Sequence, residues 1–121
     1  MTGYKNLEVW KKSMQLVKEV YTITVVFPKQ EAYGLTSQTR RAAVSVPANI
    51  AEGCGRQFKK DTRQFLHVAR GSLYELETLL DIAVMIEILS PLQLEQGLHL
   101  INETQRLLNG LIKRYESDDL R

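Results

Sequence analysis

The chain has 121 residues, a length that predicts a single domain covering residues 1–121 with a core of its own. Hydrophobic residues make up 44% and charged residues 25%, which excludes a disordered chain, and the net charge of +2 is too small to identify a partner. The single cysteine, Cys54, excludes an intramolecular disulfide framework and a multi-cysteine zinc site. With no signal-like apolar segment and no membrane span in the sequence, we expect a cytoplasmic protein.

The first predicted helix covers residues 7–26 and ends before Pro28, because a residue that precedes proline is disfavoured in the helical region. Apolar residues recur with helical spacing in two rows. The first row is Leu7, Trp10, Met14, Val17 and Tyr21, and the second is Leu16, Val20, Ile23 and Phe27. We expect Trp10 and Tyr21 to lie in the core, where they are not available to stack on nucleic-acid bases.

The second predicted helix covers residues 36–53, with Thr36 or Ser37 as its N-cap and Gly53 as its C-terminal glycine. Pro47 stands inside it, among small residues that allow another helix to come close, and we expect a bend there rather than an end. At 100° per residue, two lines of side chains form on this helix. Ala43, Val46 and Ile50 should face the core, and Arg41, Ser45, Ala48 and Glu52 should face solvent or a partner.

The third and fourth predicted helices cover residues 59–89 and 91–115, and Ser90-Pro91 is typical of an N-cap followed by a first-turn proline. No segment alternates as a strand would, and the connections are short. The sequence therefore predicts an all-α, antiparallel up-down four-helix bundle. Several helices carry two apolar rows, which indicates either a wide buried core or contact with another subunit.

Charge is distributed unevenly along the chain. Residues 40–70 hold seven Lys/Arg and two Asp/Glu, a net charge of +5, whereas residues 71–121 hold four and nine, a net charge of −5. A basic segment of this kind can neutralise nucleic-acid phosphates. An equally simple interpretation is a solvated helix start whose cations pair with the acidic half of the chain.

Two motifs resemble a known family. They are SQTRRAAVSVPANIAEG over residues 37–53, followed by Gly55-Arg56, and ARGSLYELETLLDIA over residues 69–83. They resemble the small four-helix-bundle proteins encoded in intervening sequences of bacterial 23S ribosomal RNA genes. Related accessory proteins of diversity-generating retroelements form ring-like homopentamers with a positively charged channel, and they bind nucleic acid and a reverse transcriptase. The resemblance therefore implies a homo-oligomer, a pentamer, for this chain.

The resemblance also assigns motif positions. Arg40 and Arg41 match the arginine pair of the first motif, and Arg56 matches the arginine after its glycine turn. Further matches are Asn49, Glu52 and Arg70. The chain departs from the family at Phe58, where a Ser or Thr helix cap is expected; Asp61 can take over that capping.

An enzyme or metal site has little support in the sequence. Cys54 lies between two glycines, but His67 and His99 are on predicted helices with no evident route to it. Glu95, His99 and Glu103 share a helix face, yet no matching ligands appear on a facing helix. We expect no catalytic residue, no metal and no cofactor.

These observations predict a non-enzymatic protein that binds RNA or DNA through phosphate contacts. The predicted contact residues are Arg40, Arg41, Arg56, Lys59, Lys60 and Arg63. Two alternatives remain open. The chain is a protein-interaction scaffold or accessory subunit whose arginines pair with a partner's carboxylates, or the arginines are structural and pair across subunits.

Overall fold

The computed structural model describes residues 3–118, and within this range it contains four α-helices and no strand. The α-helices are α1 (Glu8–Ile23), α2 (Leu35–Cys54), α3 (Lys59–Met85) and α4 (Pro91–Asp118). Short 3-10 helices lie at Gly3–Asn6, Thr24–Val26 and Lys29–Glu31. The first predicted helix is thus shorter than expected, with its last turn wound as a 3-10 helix, and the third ends four residues early.

Each α-helix packs against two neighbours, since α1 and α3 each contact both α2 and α4. The α2–α3 contact is the most extensive of these. One continuous core of leucine, isoleucine, valine and alanine side chains lies between the four helices. The all-α four-helix bundle predicted from the sequence is confirmed. Within residues 3–118, none of the helices combines the length and apolarity needed to cross a membrane.

Helix α1 buries one of the two apolar rows expected from the sequence completely and the other only in part. Leu16 and Val20 are fully buried, but Met14 and Tyr21 are 44% and 43% exposed. At 3.6 residues per turn, Met14 and Tyr21 lie about 140–160° around the helix from Leu16. A helix with two neighbours cannot cover that arc, so the prediction that Tyr21 lies in the core is wrong. Trp10 is partly buried against the core and meets Tyr4 edge to face.

Helix α2 continues through Pro47, as expected, and ends at Cys54. Ala43, Val46 and Ile50 are fully buried, which confirms the predicted core line. Its N-cap is Gly34 rather than Thr36 or Ser37, and glycine has no side chain that could bond to the helix. Instead, the Leu35 N–H donates to the Glu31 Oε1 atom at 3.2 Å, so a carboxylate from the preceding 3-10 helix satisfies one terminal donor.

Gly53 lies inside α2 rather than at its cap, and its role differs from the one predicted. A Cβ atom at this position would lie 2.9 Å from the Phe65 Cβ atom and 3.1 Å from the Thr62 carbonyl oxygen. The Thr62 hydroxyl donates to the Gly53 carbonyl oxygen at 2.7 Å. Glycine is therefore required because the start of α3 packs directly onto the backbone of α2.

The α3–α4 connection ends one helix and begins the next within a few residues. Glu87 adopts a left-handed conformation with φ 67°, and the Ile88 N–H donates to the Ala83 carbonyl at 3.0 Å. This is the hydrogen-bond pattern of a Schellman motif. The Ser90 hydroxyl then accepts from the Gln93 N–H at 3.1 Å while the Gln93 side chain accepts from the Ser90 N–H at 2.8 Å. Ser90 thus caps α4 as predicted, in a reciprocal capping box.

Candidate nucleic-acid interface

The predicted contact residues form two separate groups. Arg40 and Arg41 lie in the second turn of α2, whereas the other four lie beyond its end. At 1.5 Å per residue, the helix rises about 20 Å between Arg41 and Cys54. We call the segment Arg56–Arg63, which contains Arg56, Lys59, Lys60 and Arg63, the α2–α3 corner. The basic segment from Arg40 to Arg63 is continuous in sequence, but its cations therefore do not form one continuous surface patch.

Arg40 is engaged within the chain. Its Nε atom donates to the Thr24 hydroxyl oxygen at 2.8 Å, and its guanidinium carbon lies 4.5 Å from the centre of the Tyr21 ring. Thr24 is buried and also donates to the Val20 carbonyl at 2.7 Å. Arg40 thus ties α2 to the end of α1, and it covers the face of the exposed Tyr21 ring.

Arg41 follows Arg40 in the chain but lies about 100° further around the helix, on the side of α3. It is exposed and lines a cleft of about 360 Å³. The other lining residues are Gln38, Ala42, Ser45 and Glu75. Within residues 3–118, Arg41 makes no side-chain hydrogen bond or ion pair, and Glu75 supplies the negative charge of the same cleft.

The α2–α3 corner places its four cations around a fixed turn. The Arg56 Nη2 atom lies 2.8 Å from the Glu52 Oε2 atom, and its guanidinium carbon lies 4.6 Å from the centre of the Phe65 ring. Arg63 donates from Nη1 to the Tyr115 carbonyl oxygen at 3.5 Å. Lys59 and Lys60 are exposed in the first turn of α3, where Asp61 is the acidic residue.

The exposure of the Phe58 ring is the feature of this corner that the sequence did not predict, since the sequence identifies Phe58 only as a missing helix cap. It is the N-cap of α3, its side chain makes no cap hydrogen bond, and the residue is 63% exposed. The sequence signal for it was an aromatic residue flanked by cations at a predicted helix start. Asp61, expected to act as a substitute cap, lies inside the first turn, and its N–H donates to the Phe58 carbonyl at 3.1 Å.

The other motif residues lie at or beside the contact between α2 and α3, and one pair of hydroxyls bonds across it. The hydroxyls of Ser45 and Ser72 are 2.8 Å apart across this contact. Asn49 donates from its side-chain amide to the Ser45 carbonyl at 2.8 Å and to the Ser45 hydroxyl at 2.9 Å. Glu52 pairs with Arg56, as described above. Asn49 and Glu52 are therefore both used within the chain.

Exposed apolar and small side chains lie on the outer side of the same contact. In the sequence, each of them stands next to a residue through which α2 and α3 touch. It therefore lies about 100° around its helix from that residue and faces away from the core. We call this surface the seam face; its residues are Val44, Ala48, Val68 and Gly71, all of them exposed. Ser45, which bonds to Ser72 across this contact, also lines the cleft that holds Arg41 and Glu75.

Arg70 belongs to a different surface, between α3 and α4. Its Nη1 atom donates to the Asn109 Oδ1 atom at 3.2 Å, and its Nη2 atom lies 2.9 Å from the His67 Nδ1 atom. The other nitrogen of that ring is 4.0 Å from the Glu116 Oε1 atom. Arg70 thus links α3 to α4, so the structure does not bring it to the corner.

The residues considered in the sequence as catalytic or metal-ligating groups include the Cys54 thiol and the His99–Glu103 pair. Partial burial raises the pKa of the Cys54 thiol, which lowers its thiolate fraction. Glu103 lies 3.3 Å from His99 and 2.9 Å from Lys12, and the Lys12 hydrogen bond holds the pKa of its carboxyl below the ordinary value. Within residues 3–118, no three His, Cys, Asp or Glu side chains are grouped as metal ligands.

The fold and the corner together define the class: a small all-α protein, a four-helix bundle whose α2–α3 connection carries a group of cations. The family model for the 23S rRNA-intervening sequence protein matches residues 5–110, so the chain belongs to that family and the resemblance of its motifs is confirmed.

A solved structure supports the fold. The crystal structure at 1.70 Å resolution of a protein of unknown function from the S23 ribosomal protein family of Bacteroides thetaiotaomicron VPI-5482 is similar, with a TM-score of 0.79 and 24% sequence identity. The similarity covers 87% of this chain and 98% of the other. At that identity it shows a shared fold. A search of curated proteins finds no match to the sequence.

Proposed function

We propose that this chain is a non-enzymatic, homo-oligomeric protein of the rRNA intervening-sequence type that binds structured RNA in the cytoplasm. The observation that carries the proposal is the α2–α3 corner, which presents four cations and one carboxylate, that of Asp61, within eight residues. An excess of cations on one turn attracts a polyanion, and phosphate contacts of this kind supply most of the affinity of non-specific nucleic-acid binding.

The arginine and the lysines of the corner would contact phosphate in different ways. Arg56 is held by Glu52 and by the Phe65 ring, so its planar guanidinium has a defined position at the turn. Lys59 and Lys60 are exposed point charges that adapt to a phosphate of any orientation. They stand in the first turn of a 27-residue helix whose N-cap side chain makes no hydrogen bond, and the helix dipole there adds to their attraction for anions.

The proposal also includes the helix order and the assembly. The bundle is antiparallel and up-down, and the chain forms a ring-like oligomer, which the family resemblance makes a pentamer. The short connections between the helices support the antiparallel order. The exposed apolar residues of the seam face support burial against another copy, since water-exposed valines gain from such contact. A methyl group added at Gly71 would meet no atom of the described residues within 4 Å, which leaves room for a neighbouring backbone. A ring would bring several corners together and multiply the phosphate contacts.

Fluorescence-anisotropy titration of a labelled RNA hairpin tests the proposal. The Lys59→Gln/Lys60→Gln double variant should weaken binding and make the slope of log K against log salt shallower by about 1.5 units. The control variant is Lys18→Gln/Lys29→Gln, which removes the same charge from exposed positions on α1 and on the connection to α2. It should leave most of the affinity in place. Equal losses in both variants would show that net charge, and not the corner, determines binding.

A second candidate function is a protein-interaction scaffold or accessory subunit, for example for a reverse transcriptase. The observation that favours it is that Arg40 and Arg56 already have partners within the chain, which leaves fewer cations for phosphate. A pull-down from the source cell that captures the same protein before and after nuclease treatment, with no binding of purified RNA, favours the scaffold. If Arg41→Glu instead breaks the oligomer, measured by light scattering, the arginine is structural.

A further inference from the structure

Phe58 is a large aromatic side chain held in solvent between cations. The residue is 63% exposed, and Arg56, Lys59 and Lys60, all exposed, precede and follow it in the chain. It occupies the N-cap of α3, a position at which Ser, Thr, Asp or Asn would bond to the helix and Phe does not. The ring therefore contributes neither to the core nor to the helix cap, and it is accessible to a contact outside the chain.

The backbone beneath the ring is fixed. The Phe58 carbonyl accepts from the Asp61 and Thr62 N–H groups, each at 3.1 Å. The buried Thr62 hydroxyl in turn donates to the Gly53 carbonyl at 2.7 Å, at the point where α3 packs on the backbone of α2. Because the turn is anchored to α2 in this way, the backbone that carries the ring is held in place.

The surroundings of the ring decide what kind of molecule covers it. An apolar partner offers no counter-charge to the exposed Lys60 beside the ring, and covering that charge without one is unfavourable. A nucleotide matches both the ring and the cations. Its base has a flat face that stacks on the ring, and its phosphates carry the negative charge that the cations attract. In a continuous duplex both faces of each base are already stacked on neighbouring pairs, so only an unpaired base is available.

We propose that Phe58 stacks on an unpaired base of the bound RNA while the neighbouring cations of the α2–α3 corner hold its phosphates. This proposal rests on the proposed function and deepens it, because it names single-stranded loops, bulges or ends as the ligand. It also assigns specificity for unpaired nucleotides to one side chain, whereas the lysines contribute affinity for any polyanion.

The test compares three labelled RNAs of equal length, namely a hairpin with an unpaired loop, an unstructured single strand and a fully paired duplex. Phe58→Ser removes the ring and supplies a hydroxyl cap, so the fold should be retained. It should weaken hairpin and single-strand binding by about 5- to 100-fold and change duplex binding by less than about twofold. The salt slope should stay the same, because no charge is lost.

Two further variants separate stacking from apolarity. Phe58→Trp should keep the affinity for the hairpin, and its indole fluorescence should be quenched when the loop binds. Phe58→Leu keeps an apolar side chain but has no aromatic face, so it should resemble Phe58→Ser. Light scattering of each variant in the same buffer reports whether the ring instead holds subunits together.

The outcomes distinguish the two proposals. If the wild-type protein binds none of the RNAs at low salt, the proposed function itself is wrong. If it binds them but Phe58→Ser leaves loop affinity unchanged, or lowers loop and duplex affinity equally, RNA binding stands and the stacking role is refuted. A smaller oligomer for Phe58→Ser would also refute that role and would assign Phe58 to a protein interface.

Discussion

Replacing Gly53 by alanine should destabilise the bundle, although alanine is the better helix former. The added Cβ atom would lie 2.9 Å from the Phe65 Cβ atom and 3.1 Å from the Thr62 carbonyl oxygen. Carbon atoms normally pack at about 3.5–4.0 Å. Neither neighbouring atom can move by changing a rotamer, because one is the first atom of its side chain and the other is backbone. The α2 and α3 backbones must therefore separate.

The magnitude follows from one favourable contribution and two unfavourable ones. Alanine gains about 1 kcal/mol over glycine inside a helix. Overpacking that forces backbone shifts typically costs about 1–3 kcal/mol, and separation also lengthens the 2.7 Å hydrogen bond from Thr62 to the Gly53 carbonyl, whose loss adds about 1 kcal/mol. We expect the free energy of unfolding to fall by about 1–3 kcal/mol in the Gly53→Ala variant.

Urea unfolding followed by circular dichroism measures this change, with all variants at one protein concentration because association adds to apparent stability. The matched control is Gly110→Ala in α4, where an added Cβ atom meets nothing within 4 Å in the described part of the chain. That variant should gain about 0.5–1 kcal/mol. A Gly53→Ala variant as stable as Gly110→Ala would refute the inferred close contact between the two helices.

Two other predictions concern the α3–α4 connection and the ion pair between α1 and α4. Glu87→Gly should raise the free energy of unfolding by about 1 kcal/mol, because φ 67° strains a glutamate and suits glycine; a loss of stability in urea would contradict the Schellman assignment. Glu103 has a carboxyl pKa held below its ordinary value of 4.5, first by the Lys12 hydrogen bond. The stability it contributes is present above that value and lost as pH falls through the lowered pKa, so Glu103→Gln should be less stable than wild type at pH 7 and similar to it at pH 2. A stability difference between the two proteins that is the same at both pH values would refute the linkage.

The buried line of α2 could be predicted from sequence because it depends only on helical period and residue type. Ala43, Val46 and Ile50 repeat with that period and are buried. The exposure of the outer row of α1 could not be predicted in this way. Met14 and Tyr21 have apolar side chains and helical spacing, and they are exposed only because α1 has two neighbouring helices. Gly53 shows the same limit, because a glycine near a helix end is equally consistent with a cap and with close packing.

The candidate site was only partly predictable for a related reason. The sequence gives only the order of the charged residues along the chain. In a helix, adjacent residues point in directions about 100° apart, and residues far apart in sequence are also far apart along the helix axis. Arg40 and Arg41 thus face different neighbours, and Arg40 finds Tyr21 and Thr24, which no local pattern indicates. The cations of the α2–α3 corner are grouped as expected because they lie within a short connection and one helical turn.

The most direct test of the account is the salt dependence of RNA binding by the wild-type protein. Association constants for a labelled RNA hairpin, measured by fluorescence anisotropy from low to high salt, give the number of phosphates neutralised. Contacts from Arg56, Lys59, Lys60 and Arg63 predict tight binding at low salt and a slope of log K against log salt of about −3 for each corner engaged. Undetectable binding at low salt, or a slope near zero, would contradict the proposal that this corner binds nucleic acid.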